Sequence, residues 1–248
     1  MFFQKNLRAV LAVAAVLAIA SPTFSQGPVL HQSLFWARYN LRFQVGGPWS
    51  AQVDAENRRF FLPKNGQAQF VTNIHFHRRL NERTDLALGI AYSEVHAQNP
   101  EKAAAPVTEI RPWQACTANF AAYQKWKFSH RLRLEERFLA PKTVPDGQSR
   151  VNFVLRGRYL VQAKRPVGKH LDLFLNDEIL VQQGKGIDHF FDQNRAMAGS
   201  DWRFSNHFDL ELAYIWWWQL RSTGTTVYDR DIFRVTLGQK IGGKKQGK

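Results

Sequence analysis

The chain has 248 residues, with 34 Lys or Arg against 20 Asp or Glu and a formal net charge of +14. Its one cysteine, Cys116, excludes a disulfide framework, and no apolar run of about 18 residues follows the first 25, which excludes a transmembrane helix. The basic residues sit at alternate positions and in connections, not in one run, so nucleic acid is not an expected partner.

Residues 1–25 read as a cleaved secretory signal peptide. Lys5 and Arg8 precede the apolar run Ala9 to Ala20, and Thr23 and Ser25 are the small residues before a cut at Gln26. The cleavage site has no cysteine to lipidate. Losing two basic and no acidic residues leaves the mature chain at +12.

The first mature segment sets the pattern. From Phe35 to Val45 the odd positions carry Phe35, Ala37, Tyr39, Leu41, Phe43 and Val45, and the even positions carry Trp36, Arg38, Asn40, Arg42 and Gln44. Side chains on a strand alternate between faces, so one face is apolar and the other holds arginines and amides. This segment is the first of eleven such segments: 34–45, 49–61, 67–78, 84–96, 107–125, 130–140, 150–163, 170–182, 190–203, 207–220 and 227–241.

Short connections alternate with longer ones. Gly46-Gly-Pro48, Leu80–Arg83, Trp126–Ser129, Lys164–Lys169 and Ser205-Asn206 form one class; Leu62–Gly66, Ala97–Pro106, Pro141–Ser149, Gln183–Asp188 and Arg221–Thr226 form the other. That asymmetry is expected of an outer-membrane barrel with short periplasmic turns and longer outer loops. The expected fold is all-β: a single transmembrane antiparallel β-barrel of about 10–12 strands over 26–241, followed by a basic tail at 242–248. That tail is either solvated or in contact with anionic headgroups. Single-chain bacterial barrels have even strand numbers, so a count of eleven implies a miscounted strand or a first segment that is not a full member. If Ile241 ends a descending strand, the first segment must descend too and begin outside the barrel or inside its lumen.

The polar faces carry Arg38, Arg42, Asp54 and Glu56, then Arg131, Arg133, Glu135 and Arg137. Further on come Arg156, Arg158, Asp172, Glu178, Arg195, Asp209, Glu211 and Arg234. A hydrated surface favours Lys; Arg suits paired, partly desolvated contact with carboxylates. A lumenal charge network is therefore expected, with Glu56 and Glu135 as partners for Arg38 and Arg42. Trp49, Trp113, Trp126, Trp202, Tyr214, Trp216 and Trp218 are expected in aromatic girdles at the lipid–water interfaces. Trp36 also lies near a segment end. Trp217 breaks the pattern by facing the polar side. Glu136 lies on the apolar face of Leu132, Leu134 and Phe138 and is expected near a rim.

Catalytic chemistry has little to build on. His75 and His77 share a face without an evident third ligand, and Asp188-His189 with Ser149 or Ser200 has no triad spacing. Gly184-Lys-Gly186 reads as a loop tip. No catalytic residue, metal or cofactor is expected.

Glu109-Ile-Arg-Pro-Trp-Gln114, Arg131-Leu-Arg-Leu-Glu-Glu-Arg-Phe138, Arg156-Gly-Arg-Tyr159, Asn176-Asp-Glu178 and Phe191-Asp-Gln-Asn-Arg195 together resemble an uncharacterised family of outer-membrane β-barrels, the domain of unknown function DUF2490. The resemblance implies an outer-membrane barrel and brings no catalytic residues. The Lys-rich end departs from the aromatic ending usual in such barrels. The expected role is a small or blocked pore, or a structural barrel, in the outer membrane, with its lipids and the barrel-assembly machinery as partners. A rim hydrolase acting on lipid or peptide and a soluble exported β-sandwich are the alternatives.

Overall fold

In the computed structural model, residues 27–100, 105–121, 125–141, 151–221 and 224–242 are described. The signal peptide, Ser149 and the lysines of the tail lie outside them. All eleven alternating segments are strands: β1 (Val29–Gly46), β2 (Trp49–Leu62), β3 (Gly66–Arg79), β4 (Thr84–Val95), β5 (Val107–Ala121), β6 (Lys127–Pro141), β7 (Asn152–Pro166), β8 (Leu171–Gly184), β9 (Phe191–Arg203), β10 (Phe208–Leu220) and β11 (Val227–Ile241). They close into one barrel in sequence order. A soluble sandwich of two sheets is thereby overturned.

Two expectations need correction. The count of eleven stands, and the barrel is not wholly antiparallel: β1 pairs with β11 in parallel, from Val29↔Val227 to Phe43↔Ile241. A parallel seam lets an odd number of strands close without leaving an edge, and closure satisfies the backbone groups that lipid cannot. It also explains why β1 runs to 18 residues and starts before the alternation of Phe35–Val45 begins. The chain therefore enters at the rim of the longer connections, here the loop rim, and β11 ends at the rim of the tight ones, the turn rim.

The outside is apolar. Leu88, Leu132, Leu175 and Ile90 are at least half exposed, as are many other large hydrophobic side chains of the wall. Most charged side chains of the wall are turned inward. This polarity is inverted relative to a soluble core and matches a barrel that stands in lipid. Trp49, Trp202, Tyr214 and Trp216 face outward and are exposed. Trp218 packs on Phe191, and Trp126 stacks on Phe128 beside Arg165. Trp113 is the exception among the expected girdle residues. It shares strand parity with Glu109 and Arg111 and points into the lumen, 5% exposed. Gly89 makes room for it, since a Cβ there would lie 2.7 Å from Trp113 Cζ2.

Glu136 lies opposite Leu155 on the outward parity of β6, five positions before the loop-rim end at Pro141. Further outward carboxylates went unflagged by the alternation: Asp177 of β8 accepts a 2.9 Å hydrogen bond from Asn194 of β9, and Asp229 and Asp231 of β11 accept from Trp216 Nε1 at 2.7 Å and from the Tyr214 hydroxyl.

Candidate functional site: the charged lumen

The wall of β5–β8 carries three buried glutamates, each shared by several arginines. Glu135 is fully buried and is approached by Arg156 Nε at 2.7 Å, Arg158 Nη1 at 2.8 Å, Arg133 Nε at 3.0 Å and Arg111 Nη1 at 3.9 Å. Glu109 accepts from Arg111 Nε at 2.8 Å and Arg137 Nε at 2.6 Å. Glu178 accepts from Arg158 Nη2 at 2.6 Å and Arg131 Nη2 at 2.8 Å. One carboxylate has about four lone-pair sites and a guanidinium five donors in a plane, so a ladder of inward Arg and Glu on adjacent strands can share bonds across several partners.

The opposite wall pairs more simply. Arg38 lies 2.9 Å from Asp54 and 4.0 Å from Glu56, Arg58 bonds Glu56, and Arg234 lies 2.7 Å from Glu211. Arg42 pairs with Asp209, not with Glu56 or Glu135 as expected from the sequence. The reason is the seam: β11 separates β1 from β10 by one strand, so Asp209 comes within reach. At the turn rim Lys164 and Arg203 share Asp172 at 3.2 and 2.9 Å.

Arg195 is different. Its Nε donates to Gln193 Oε1 at 2.8 Å, and its guanidinium lies 4.5 Å from the Trp217 ring and 5.8 Å from Trp36. No carboxylate among the described residues lies within ion-pair distance of it.

Toward the loop rim the lumen is filled by apolar side chains. Leu34, Trp36, Phe60, Ala68, Ile215, Trp217 and Ile232 form a buried apolar cluster inside the barrel. Beside it Arg230 donates to Gln32 at 2.7 Å, Gln219 at 2.7 Å and Gln98 at 2.8 Å, and its guanidinium sits 4.4 Å from the rings of both Trp217 and Tyr228. Gln98 belongs to the β4–β5 connection, and Gln32 also donates to its carbonyl at 2.7 Å. That connection is thus tied into the barrel mouth.

Exposure grows toward the turn rim. The side chains of Glu109 and Glu135 have none, whereas Arg131 and Arg42 keep 32% and 34%. Beside the plug and on toward the turn rim runs a cavity of about 400 Å³, lined by ten arginines and five carboxylates and, at its loop-rim end, by Val95 and Gln98. Glu109 and Glu135 are hidden behind the arginines that they bind.

Residues 34–228 match the family model described as a protein of unknown function (DUF2490). The chain belongs to this family. Among solved structures it is similar to a NanC porin, with a TM-score of 0.47 and 10% identity over 83% of this chain and 99% of that one. It is also similar to the outer-membrane expressed OmpT of Vibrio cholerae, with a TM-score of 0.37 and 8% identity over 72% of this chain and 58% of that one. No curated protein matches the chain.

In this DUF2490 barrel most of the charged residues expected in the lumen line the cavity, while Glu135 is buried among its arginines and Arg42 pairs with Asp209. Glu109, Arg111 and Trp113, then Arg131 to Arg137, Arg156 and Arg158, Glu178 and Arg195 all come from the segments that carry the family resemblance. Arg58, Glu109, Arg111, Asp192, Arg230 and Gln98 were not assigned to the lumen from the sequence, although Glu109 shares the parity of Arg111. Strand parity was the available signal for Arg58, Arg111 and Arg230. Asp192 is brought inward beside a register shift in β8, where it lies 3.6 Å from Arg156. Gln98 sits in a connection and carried no signal.

The catalytic candidates are not brought together. His189 lies at the loop rim with its two ring nitrogens facing the carbonyls of Phe191 and Arg221. Ser200 faces outward and accepts from Trp202 Nε1 at 2.9 Å. His189 sits beside Phe191, and nine positions along β9 separate Phe191 from Ser200, roughly 30 Å at strand rise. Within the lumen His75 bonds His77 at 2.7 Å and Asp54 at 3.1 Å. No group of three His, Cys, Asp or Glu residues among the described ones is arranged to hold a metal ion. Gly184 and Gly186 flank a tight loop tip, with Ile187 N donating to Gly184 O at 3.2 Å.

Proposed function

We propose that this DUF2490 barrel resides in the outer membrane as a one-sided chamber, closed at the loop rim, lined with arginine, and reached from the turn rim. It is not a through-pore. The observation that carries this reading is the gradient of exposure along the lumen. Trp36, Phe60, Ile232 and Arg230 are sealed from solvent, while Arg131 and Arg42 toward the turn rim remain accessible. Short turns face the periplasm in bacterial barrels, so the chamber opens to the periplasm. The apolar outer wall and the outward tryptophans support residence in lipid, and insertion then falls to the barrel-assembly machinery. The positive lining favours anions over cations.

Planar-bilayer recording tests this. The wild-type barrel is expected to give no sustained conductance. The Trp36→Ala/Trp217→Ala double variant is expected to open anion-preferring steps. Steady wild-type current would overturn the closed chamber; cation preference in the opened variant would overturn its polarity.

A further inference from the structure

The lumen has more hydrogen-bond donors than its own acceptors can use. Of seven buried side-chain N and O atoms without a hydrogen bond among the described residues, six are N–H donors, of which Arg133 Nε and Arg38 Nε still lie 3.0 and 4.0 Å from a carboxylate. Two of them are the indole Nε1 atoms of Trp36 and Trp217, whose residues are 2% and 7% exposed and both line the cavity. A buried donor left unpaired is costly, and such groups in native proteins call for an explanation. The same two rings flank Arg195, which has no carboxylate partner among the described residues. Arg58 stacks 4.0 Å from the Trp36 ring and spends its Nε on Glu56 and Nη1 on Gln69.

Donors without acceptors and a cation without a carboxylate in contact ask for the same thing. A water molecule brings donors as well as acceptors and no charge. An oxyanion brings acceptors alone and the missing charge. We infer that the chamber holds a specific site for a small oxyanion, a carboxylate, phosphate or sulfate, seated below the plug between Arg195 and the indole N–H groups of Trp36 and Trp217. The cavity, at about 400 Å³, is of the size that encloses a small organic anion. The rings beside the guanidiniums offer an apolar face to the remainder of such a molecule. This inference rests on the chamber being reached from the turn rim.

Calorimetric titration of the refolded full barrel in detergent tests it. Citrate, inorganic phosphate and sulfate serve as probes at constant ionic strength against a chloride background. At least one probe is expected to bind saturably. Arg195→Gln should weaken that binding by about tenfold or more, the scale of a lost hydrogen bond to a charged group. Trp36→Phe and Trp217→Phe keep the rings, remove the N–H groups, and should each weaken it several-fold with heat-modifiable migration unchanged. Arg59→Gln, on the outward parity of β2, should bind as wild type. No saturable binding by a correctly folded barrel overturns the site, as does binding indifferent to Arg195 and to both indoles, or displaced equally well by chloride. Failure of the chamber reading is separable. A barrel that conducts yet binds through Arg195 keeps the site and loses the closed chamber; a sealed barrel that binds nothing does the reverse.

Discussion

Phe35 of β1 stands level with Phe233 of β11, their rings stacked 6.1 Å apart with 26° between planes, across a seam in which both strands run the same way. The seam places the chain's entry and the end of β11 at opposite rims, and it brings Arg42 to Asp209.

The seam is testable by cross-linking. Ala37 and Val235 are register partners on its outward face. Neighbouring strands lie roughly 4.8 Å apart, inside the Cα range that a disulfide tolerates. In a Cys116→Ser background, Ala37→Cys with Val235→Cys is expected to form an intramolecular bond on oxidation and to shift migration in non-reducing gels. An intervening strand or a different register abolishes the shift.

Glu135 serves four arginines from full burial. Glu135→Gln leaves those guanidiniums facing one another without their counter-charge. The expected loss is about 3–5 kcal/mol, as for other buried pairs that lose one partner. Glu211→Gln, whose carboxylate is 23% exposed, should cost no more than about 1 kcal/mol. Urea unfolding in lipid vesicles measures both, and equal losses would refute the hub role of Glu135.

Gly89 is required by close approach. A methyl added there would meet Trp113 Cζ2 at 2.7 Å and the Ile74 carbonyl at 2.8 Å. Gly89→Ala is expected to destabilise the barrel by about 1–3 kcal/mol, the usual cost of overpacking. Gly168→Ala, with nothing within 4 Å of the new atom, should stay within about 0.5 kcal/mol of wild type. The same unfolding assay compares them.

Arg230 joins three glutamines from β1, β10 and the β4–β5 connection. Arg230→Ala removes their shared donor and releases Gln98 from the mouth. Limited proteolysis of the folded barrel should then cut within the β4–β5 connection several times faster than in wild type, with the strands still protected. An unchanged cleavage rate would mean that Arg230 does not hold the connection in place.

Much of the wall was legible because a period of two is a local property. Phe35 to Val45 reveals its two faces without reference to any other strand, and the same parity places Arg131, Arg133, Glu135 and Arg137 on one side. Parity also held the correct position of Trp113, which its aromatic character disguised as a girdle residue. Asp177 was missed because its neighbour Glu178 already occupied the polar parity.

The sequence by itself determined that the chain is a succession of eleven two-faced strands with tight and long connections in alternation, since strand geometry acts between nearest neighbours along the backbone. Only the tertiary structure decided how the ends meet. A parallel seam and an odd count depend on hydrogen bonds between residues some 200 positions apart, such as Val29 and Val227. The same holds for the plug and for the unspent donors of Trp36 and Trp217, because what a side chain touches across a lumen is set by closure of the ring and not by its place in the strand.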